Sequence, residues 1–282
     1  MDYERKLMSM KTTSISCGPY TLDFSKRTLI MGILNITPDS FSDGGKFNQV
    51  DSAIIHAKEM IEQGADIIDV GGESTRPGSA KVLQEEELAR VIPIIKALSK
   101  EINVPISIDT YKAEVAKQAI EAGAHIINDV WGAKADKKMA EVAAKYGVPI
   151  ILMHNRDNRD YQDLLPDMIL DLQESISIVK EAGVMDEKII LDPGIGFAKN
   201  FEHNIEALQN LEKITELGYP VLLGTSRKSF IGQILDLPAE QRGEGTGATT
   251  CLGIQKGCHM VRVHDVLLNS RLAKVMDVLV GK

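Results

Sequence analysis

A chain of 282 residues with 44% hydrophobic and 26% charged residues has the composition of a folded globular protein, which excludes a largely disordered or low-complexity chain. Its formal net charge of -8 excludes broad attraction to nucleic acid or to anionic lipid, so any basic site is local. The three cysteines, Cys17, Cys251 and Cys258, form neither a zinc cluster nor a secreted disulfide framework; with no apolar stretch long enough to span a membrane and no secretory signal, a cytoplasmic protein is expected.

In chain order, residues 12–16 and 20–24 flank Cys17-Gly18-Pro19 and predict a β-hairpin. Apolar runs rich in β-branched residues then recur at residues 28–34, 67–70, 105–108, 125–128, 149–153, 189–191, 220–223 and 260–263. Runs this apolar, without clean alternation, suit parallel strands buried on both faces. Between them, helical patterns occupy residues 53–63, 85–100, 113–122, 137–145, 164–182, 205–217, 248–256 and 267–280, several ending at a glycine such as Gly123 or Gly257. Strand and helix alternating eight times predict a (β/α)8 TIM barrel of the α/β class, one domain over residues 1–282 with the hairpin at 12–24 covering its bottom; an open doubly wound sheet alternates similarly. The glycines of Gly243-Glu244-Gly245-Thr246-Gly247 are read as a loop before a helix.

In such a barrel the active site is built from the loops after the strands, and here every strand runs into polar residues. Asp109, Asn128 and Asp192 come from three separate strand ends. Two carboxylates and a carboxamide suit the N–H fork of a guanidine-like heterocycle such as a pterin; the alternative is that Asp109 and Asp192 only cap the next helices in the chain. Arg262 and His264, two apart on one strand, face the same side, and with Asn35 suit a diphosphate whose charge a Mg²⁺ shares. Lys228 stands at a predicted helix N-terminus, where anions are favoured, with Arg227 beside it as a bystander or a loop brace. His56, His125 and His203 are read as satisfied core histidines, unlike His264.

Two long stretches, Met31-Gly32-Ile33-Leu34-Asn35-Ile36-Thr37-Pro38-Asp39-Ser40-Phe41-Ser42-Asp43-Gly44-Gly45 and Asp69-Val70-Gly71-Gly72-Glu73-Ser74-Thr75-Arg76-Pro77-Gly78, resemble the signature segments of bacterial dihydropteroate synthases. Asp192-Pro193-Gly194-Ile195-Gly196-Phe197, Gly224-Thr225-Ser226-Arg227-Lys228-Ser229 and Arg262-Val263-His264-Asp265 extend the likeness to this pterin-binding family, with mild departures at Ile36 and Asn200. The resemblance implies a transferase of folate biosynthesis that condenses 6-hydroxymethyl-7,8-dihydropterin diphosphate with para-aminobenzoate. It implies that Asp109, Asn128, Asp192 and Lys228 hold the pterin, with Met153 in the pocket wall, and that Asn35, Arg262 and His264 take pyrophosphate and Mg²⁺. Thr75, Arg76, Pro77, Phe197 and Ser229 are then expected toward para-aminobenzoate, the pocket that sulfonamides occupy, and Phe41, Ser42 and Asp43 on a first loop that closes over it. A homodimer is also implied. Catalysis is expected to be electrostatic, with Arg262 and His264 on the leaving pyrophosphate and Asp109 and Asp192 on a cationic pterin. The rivals are a pterin-binding methyltransferase, which has no use for the set Asn35, Arg262 and His264, and a non-catalytic pterin binder, which has no need of all these positions.

Overall fold

The structure, a computed structural model, describes residues 10–36, 46–74 and 81–282, with the side chains of residues 46–48 outside that description. Strands β1 (Ser14–Cys17) and β2 (Tyr20–Asp23) pair antiparallel as the predicted hairpin, Ser14 opposite Asp23 and Cys17 opposite Tyr20. Its turn brings Gly18, at φ +61°, so close to His125 that a Cβ there would lie 2.8 Å from the imidazole.

The eight predicted strands are β3 (Leu29–Asn35), β4 (Ile67–Gly71), β5 (Ile106–Asp109), β6 (Ile126–Asp129), β7 (Ile150–Met153), β8 (Ile189–Asp192), β9 (Leu222–Leu223) and β10 (Met260–Val263). They form one parallel sheet in the order β8-β7-β6-β5-β4-β3-β10-β9. A parallel bridge between Leu191 and Val221, with Leu191 N–H donating to the Pro220 carbonyl at 2.9 Å, joins the two ends and closes the barrel. Closure rules out the open doubly wound alternative.

Around it lie α1 (Lys46–Glu62), α2 (Gln84–Glu101), α3 (Ala113–Ala122), α4 (Lys138–Tyr146), α5 (Leu164–Glu181), α6 (Phe201–Gln209), α7 (Glu212–Thr215), α8 (Ser229–Leu235), α9 (Gly243–Lys256) and α10 (Val266–Val280). Three departures from the sequence pattern have physical causes. The helix expected over residues 205–217 is two, broken where Asn210 leaves helical geometry at φ -119°. The short α8 starts at the helix N-terminus expected at Lys228, but its extent went unassigned because seven residues are too few to show a 3.6-residue period. The segment Gly243–Gly247, expected as a loop, is the first turn of α9; its glycines serve packing, since a Cβ at Gly245 would lie 2.3 Å from Ile231 and one at Gly247 2.6 Å from Leu272. The histidines also divide: His125 accepts from Ile106 N–H at 3.2 Å and His203 is half-buried against Tyr161, but His56 is exposed on α1.

Candidate active site

The two-residue period of the strands builds the site in layers. At the bottom of the barrel, Met31, Ile67, Ile126, Ile151, Ile190 and Met260 fill the interior, and the hairpin seals them with Leu22 and Phe24. Two residues further on, the same inward positions turn polar: Asp69 follows Ile67, Asn128 follows Ile126, Asp192 follows Ile190 and Arg262 follows Met260, while Met153 follows Ile151. The barrel is therefore plugged with hydrocarbon below and open to chemistry above.

That upper layer lines a cavity of about 350 Å³. Asp109, Asn128, Asp192, Met153, Arg262, His264, Asn35, Lys228, Ser229 and Phe197 all line it. Every candidate residue among those described is thus brought to one cavity. Phe41, Ser42, Asp43, Thr75, Arg76 and Pro77 lie outside the described residues. The capping alternative fails: α3 begins after Lys112, α6 is capped by Asn200, and Asp192 instead accepts from Gly194 N–H at 2.7 Å within its own loop.

The charged side chains in and beneath the cavity contact one another directly. Arg262 donates through Nε to Asp69 Oδ2 at 2.6 Å and through a terminal nitrogen to Asp109 Oδ2 at 2.6 Å, while Asn128 donates to Asp69 Oδ2 at 3.2 Å. Burial pushes the Asp109 carboxyl up, opposed by Arg262 and reinforced by Asp69. Burial also raises Asp192, against the pull of Lys228. Lys228 donates to the Ile195 carbonyl and lies 4.8 Å from the centre of the Phe197 ring; burial pulls its ammonium down to about 8, with Asp192 working the other way. His264 is oriented by Ser226, whose hydroxyl meets Nδ1 at 2.9 Å and accepts from the His264 N–H at 3.1 Å.

Two features went unread in the sequence. Asp69 is fully buried in the middle of β4, and the signal was there: a carboxylate inside an apolar parallel strand must meet a cation. The second is a network under the β8 loop. Lys199, only 4% exposed, donates to the carbonyls of Gly194 at 3.0 Å and Phe197 at 3.1 Å and meets His154 Nδ1 at 2.8 Å. His154 Nε2 faces Asp171 Oδ2 at 2.9 Å, which Arg156 Nε also reaches at 2.5 Å. Burial brings Lys199 down to about 7 and His154 to about 4. Residues so far apart in sequence carry no local pattern that joins them.

For a divalent cation, no group of three or more His, Cys, Asp or Glu among the described residues forms a cage. Glycine at the end of β4 leaves an open notch instead: a Cβ at Gly71 would lie 3.8 Å from Asn35 Oδ1 and 3.7 Å from Asp109 Oδ2. A Mg²⁺ that keeps most of its waters needs only one or two protein oxygens, and Asn35 Oδ1 at this notch would supply one.

The model of the pterin-binding enzymes matches residues 31–264. The dihydropteroate synthase of Bacillus subtilis is 61% identical over 272 residues, 96% of this chain and 95% of that protein. Among solved structures, the Clostridium difficile dihydropteroate synthase determined in the presence of pteroic acid superposes with a TM-score of 0.91 at 55% identity, covering 93% of this chain and 100% of that one. The Xanthomonas albilineans dihydropteroate synthase with 4-aminobenzoic acid gives 0.90 at 39% identity, covering 95% and 98%. This chain belongs to the pterin-binding enzymes and, within them, to the dihydropteroate synthases.

Proposed function

We infer that the cavity joins 6-hydroxymethyl-7,8-dihydropterin diphosphate to para-aminobenzoate, forming 7,8-dihydropteroate and pyrophosphate for folate biosynthesis. The observation that carries the assignment of roles is the convergence of Asp109, Asn128 and Asp192 with Arg262 and Lys228 on one cavity. The carboxylates and the Asn128 amide receive the guanidine-like edge of the pterin, with Met153 against the ring. Arg262 and His264 take the diphosphate, and Asn35 contributes an oxygen to Mg²⁺, which when bound shares the phosphate charge.

As the bond from the exocyclic carbon to the diphosphate oxygen weakens, negative charge grows beside Arg262 and His264, while positive charge spreads into the ring beside Asp109 and Asp192. Fixed charges already in place at both ends lower the barrier without reorganisation. The neutral aryl amine attacks the carbon, held between Phe197 and Ser229 and by Thr75, Arg76 and Pro77; its surplus proton leaves to solvent or pyrophosphate. Phe41, Ser42 and Asp43 would help to keep water from the cation. Sulfonamides compete for the amine's place.

The whole chain acts as one domain. It works in the cytoplasm as a homodimer, a reading supported by the absence of clustered cysteines in the sequence and by Val275, Val278 and Leu279, exposed apolar residues on α10. No described helix is long and apolar enough to cross a membrane. Light scattering tests the dimer, with a mass near twice 30.9 kDa expected.

Asp109→Asn is expected to lower kcat/KM by about 10- to 100-fold, the scale of one charged contact, measured by pyrophosphate release with both substrates present. Arg262→Ala is expected to lower kcat and weaken pyrophosphate binding in calorimetry. Wild-type turnover in the first variant and unchanged affinity in the second would remove these residues from their roles.

A further inference from the structure

Arg262 makes an asymmetric pair of contacts. Both carboxylates it touches are buried, but they differ in what else can reach them. Asp109 lines the cavity, while Asp69 lies outside the lining, 0% exposed, in the middle of β4. Asp69 Oδ1 and Asp109 Oδ1 have no hydrogen-bond partner among the described side chains, so each carboxylate spends one oxygen on Arg262. A bound pterin and the arginine side chain present the same N–H fork, and bidentate recognition of that fork requires both oxygens of a carboxylate. The arginine therefore holds half of the place the substrate ring needs. Asp69 cannot exchange partners in this way, because no ligand reaches it and an unpaired buried carboxylate is costly.

Resting on the function proposed above, we propose that Asp69 is a positioning residue that keeps Arg262 on a pivot: Nε stays on Asp69, while the terminal nitrogen now on Asp109 gives way to the pterin and turns to the diphosphate. Both ligands then require the same event, release of Arg262 from Asp109. Whichever binds first bears that cost and the second does not, so pterin and pyrophosphate tighten one another's binding by the same factor. The substrate, which carries both groups in one molecule, meets the cost once.

The test is calorimetry on the whole protein at a fixed Mg²⁺ concentration, with 6-hydroxymethylpterin and pyrophosphate as probes, each titrated alone and with the other saturating. Wild type is expected to show a reciprocal gain of about tenfold or more. Arg262→Lys, whose one nitrogen cannot stay on Asp69 while a second nitrogen leaves Asp109 for the diphosphate, is expected to bring the factor close to one. Asp69→Asn is expected to weaken pyrophosphate at saturating pterin at least tenfold while leaving the KM for para-aminobenzoate within twofold, a split that a general loss of structure does not produce. Independent binding in wild type, or wild-type affinities in Asp69→Asn, overturns the inference. Should Asp69→Asn fail to fold, the wild-type and Arg262→Lys measurements decide alone. A protein that forms dihydropteroate yet binds the probes independently defeats this inference only; one that forms none defeats the proposed function, and the inference falls with it.

Discussion

At the scale of single residues, Lys228 makes a pH prediction. Its ammonium is pulled down to about 8 by burial, so it is charged below that value and loses its charge as the pH rises through it. The charge balances Asp192 and favours the anionic substrate, so kcat/KM is expected to fall on the alkaline side with an apparent pKa near 8. Lys228→Arg, which does not titrate in this range, is expected to flatten that limb even where it lowers the maximum. A wild-type profile level from about pH 7 to 9.5 would show that Lys228 carries no such role. His154 predicts a dependence of stability instead. Burial holds it at about 4 against an ordinary 6.5, so the unfolded chain binds the extra proton first as the pH falls. Stability is full above about 6.5 and declines toward 4. In urea titrations across this window, His154→Gln is expected to show a shallower decline than wild type; an identical slope would assign the acid sensitivity elsewhere.

At the scale of elements, the β8 loop and the start of α6 are set by one cap and one glycine. Asn200 caps α6 by accepting from His203 N–H at 2.7 Å. Threonine caps in the same way, so this departure from the family pattern keeps its physical purpose. Asn200→Ala is expected to cost about 1 kcal/mol and Asn200→Thr only a few tenths, read from denaturation midpoints. Gly194 is the harder constraint: at φ +64° a Cβ there would lie 1.9 Å from the His154 carbonyl oxygen. Gly194→Ala is expected to displace the loop that carries Phe197 and to cost more than about 2 kcal/mol. The strands, the glycine helix ends and the polar strand ends were all legible in the sequence because each rests on a local period or a local cap. The packed glycines of α9 and the extent of the brief α8 were not, since their conformations answer to neighbours elsewhere in the chain.

At the scale of the molecule, the hairpin and the site occupy opposite ends of one barrel. Phe24, 0% exposed, belongs to the apolar plug beneath the polar layer. Phe24→Ala is expected to lower stability by about 3–5 kcal/mol while leaving KM for both substrates near wild type at low temperature, where the protein remains folded. A large change in KM would mean that the plug shapes the cavity floor.

By itself the sequence determined the eight alternating strands and helices and the strand-end positions of Asp109, Asn128, Asp192, Lys228, Arg262 and His264, because strand periodicity is local, while closure of the sheet into a barrel was decided by the Leu191–Val221 bridge. Only the tertiary structure decided that Arg262 is shared between Asp69 and Asp109, that Asp109 and Asp192 do not cap helices, and that Lys199 braces the β8 loop through His154 and Asp171. Those contacts join positions as far apart as 193 residues, and their partners are chosen by closure of the barrel, which no local pattern records.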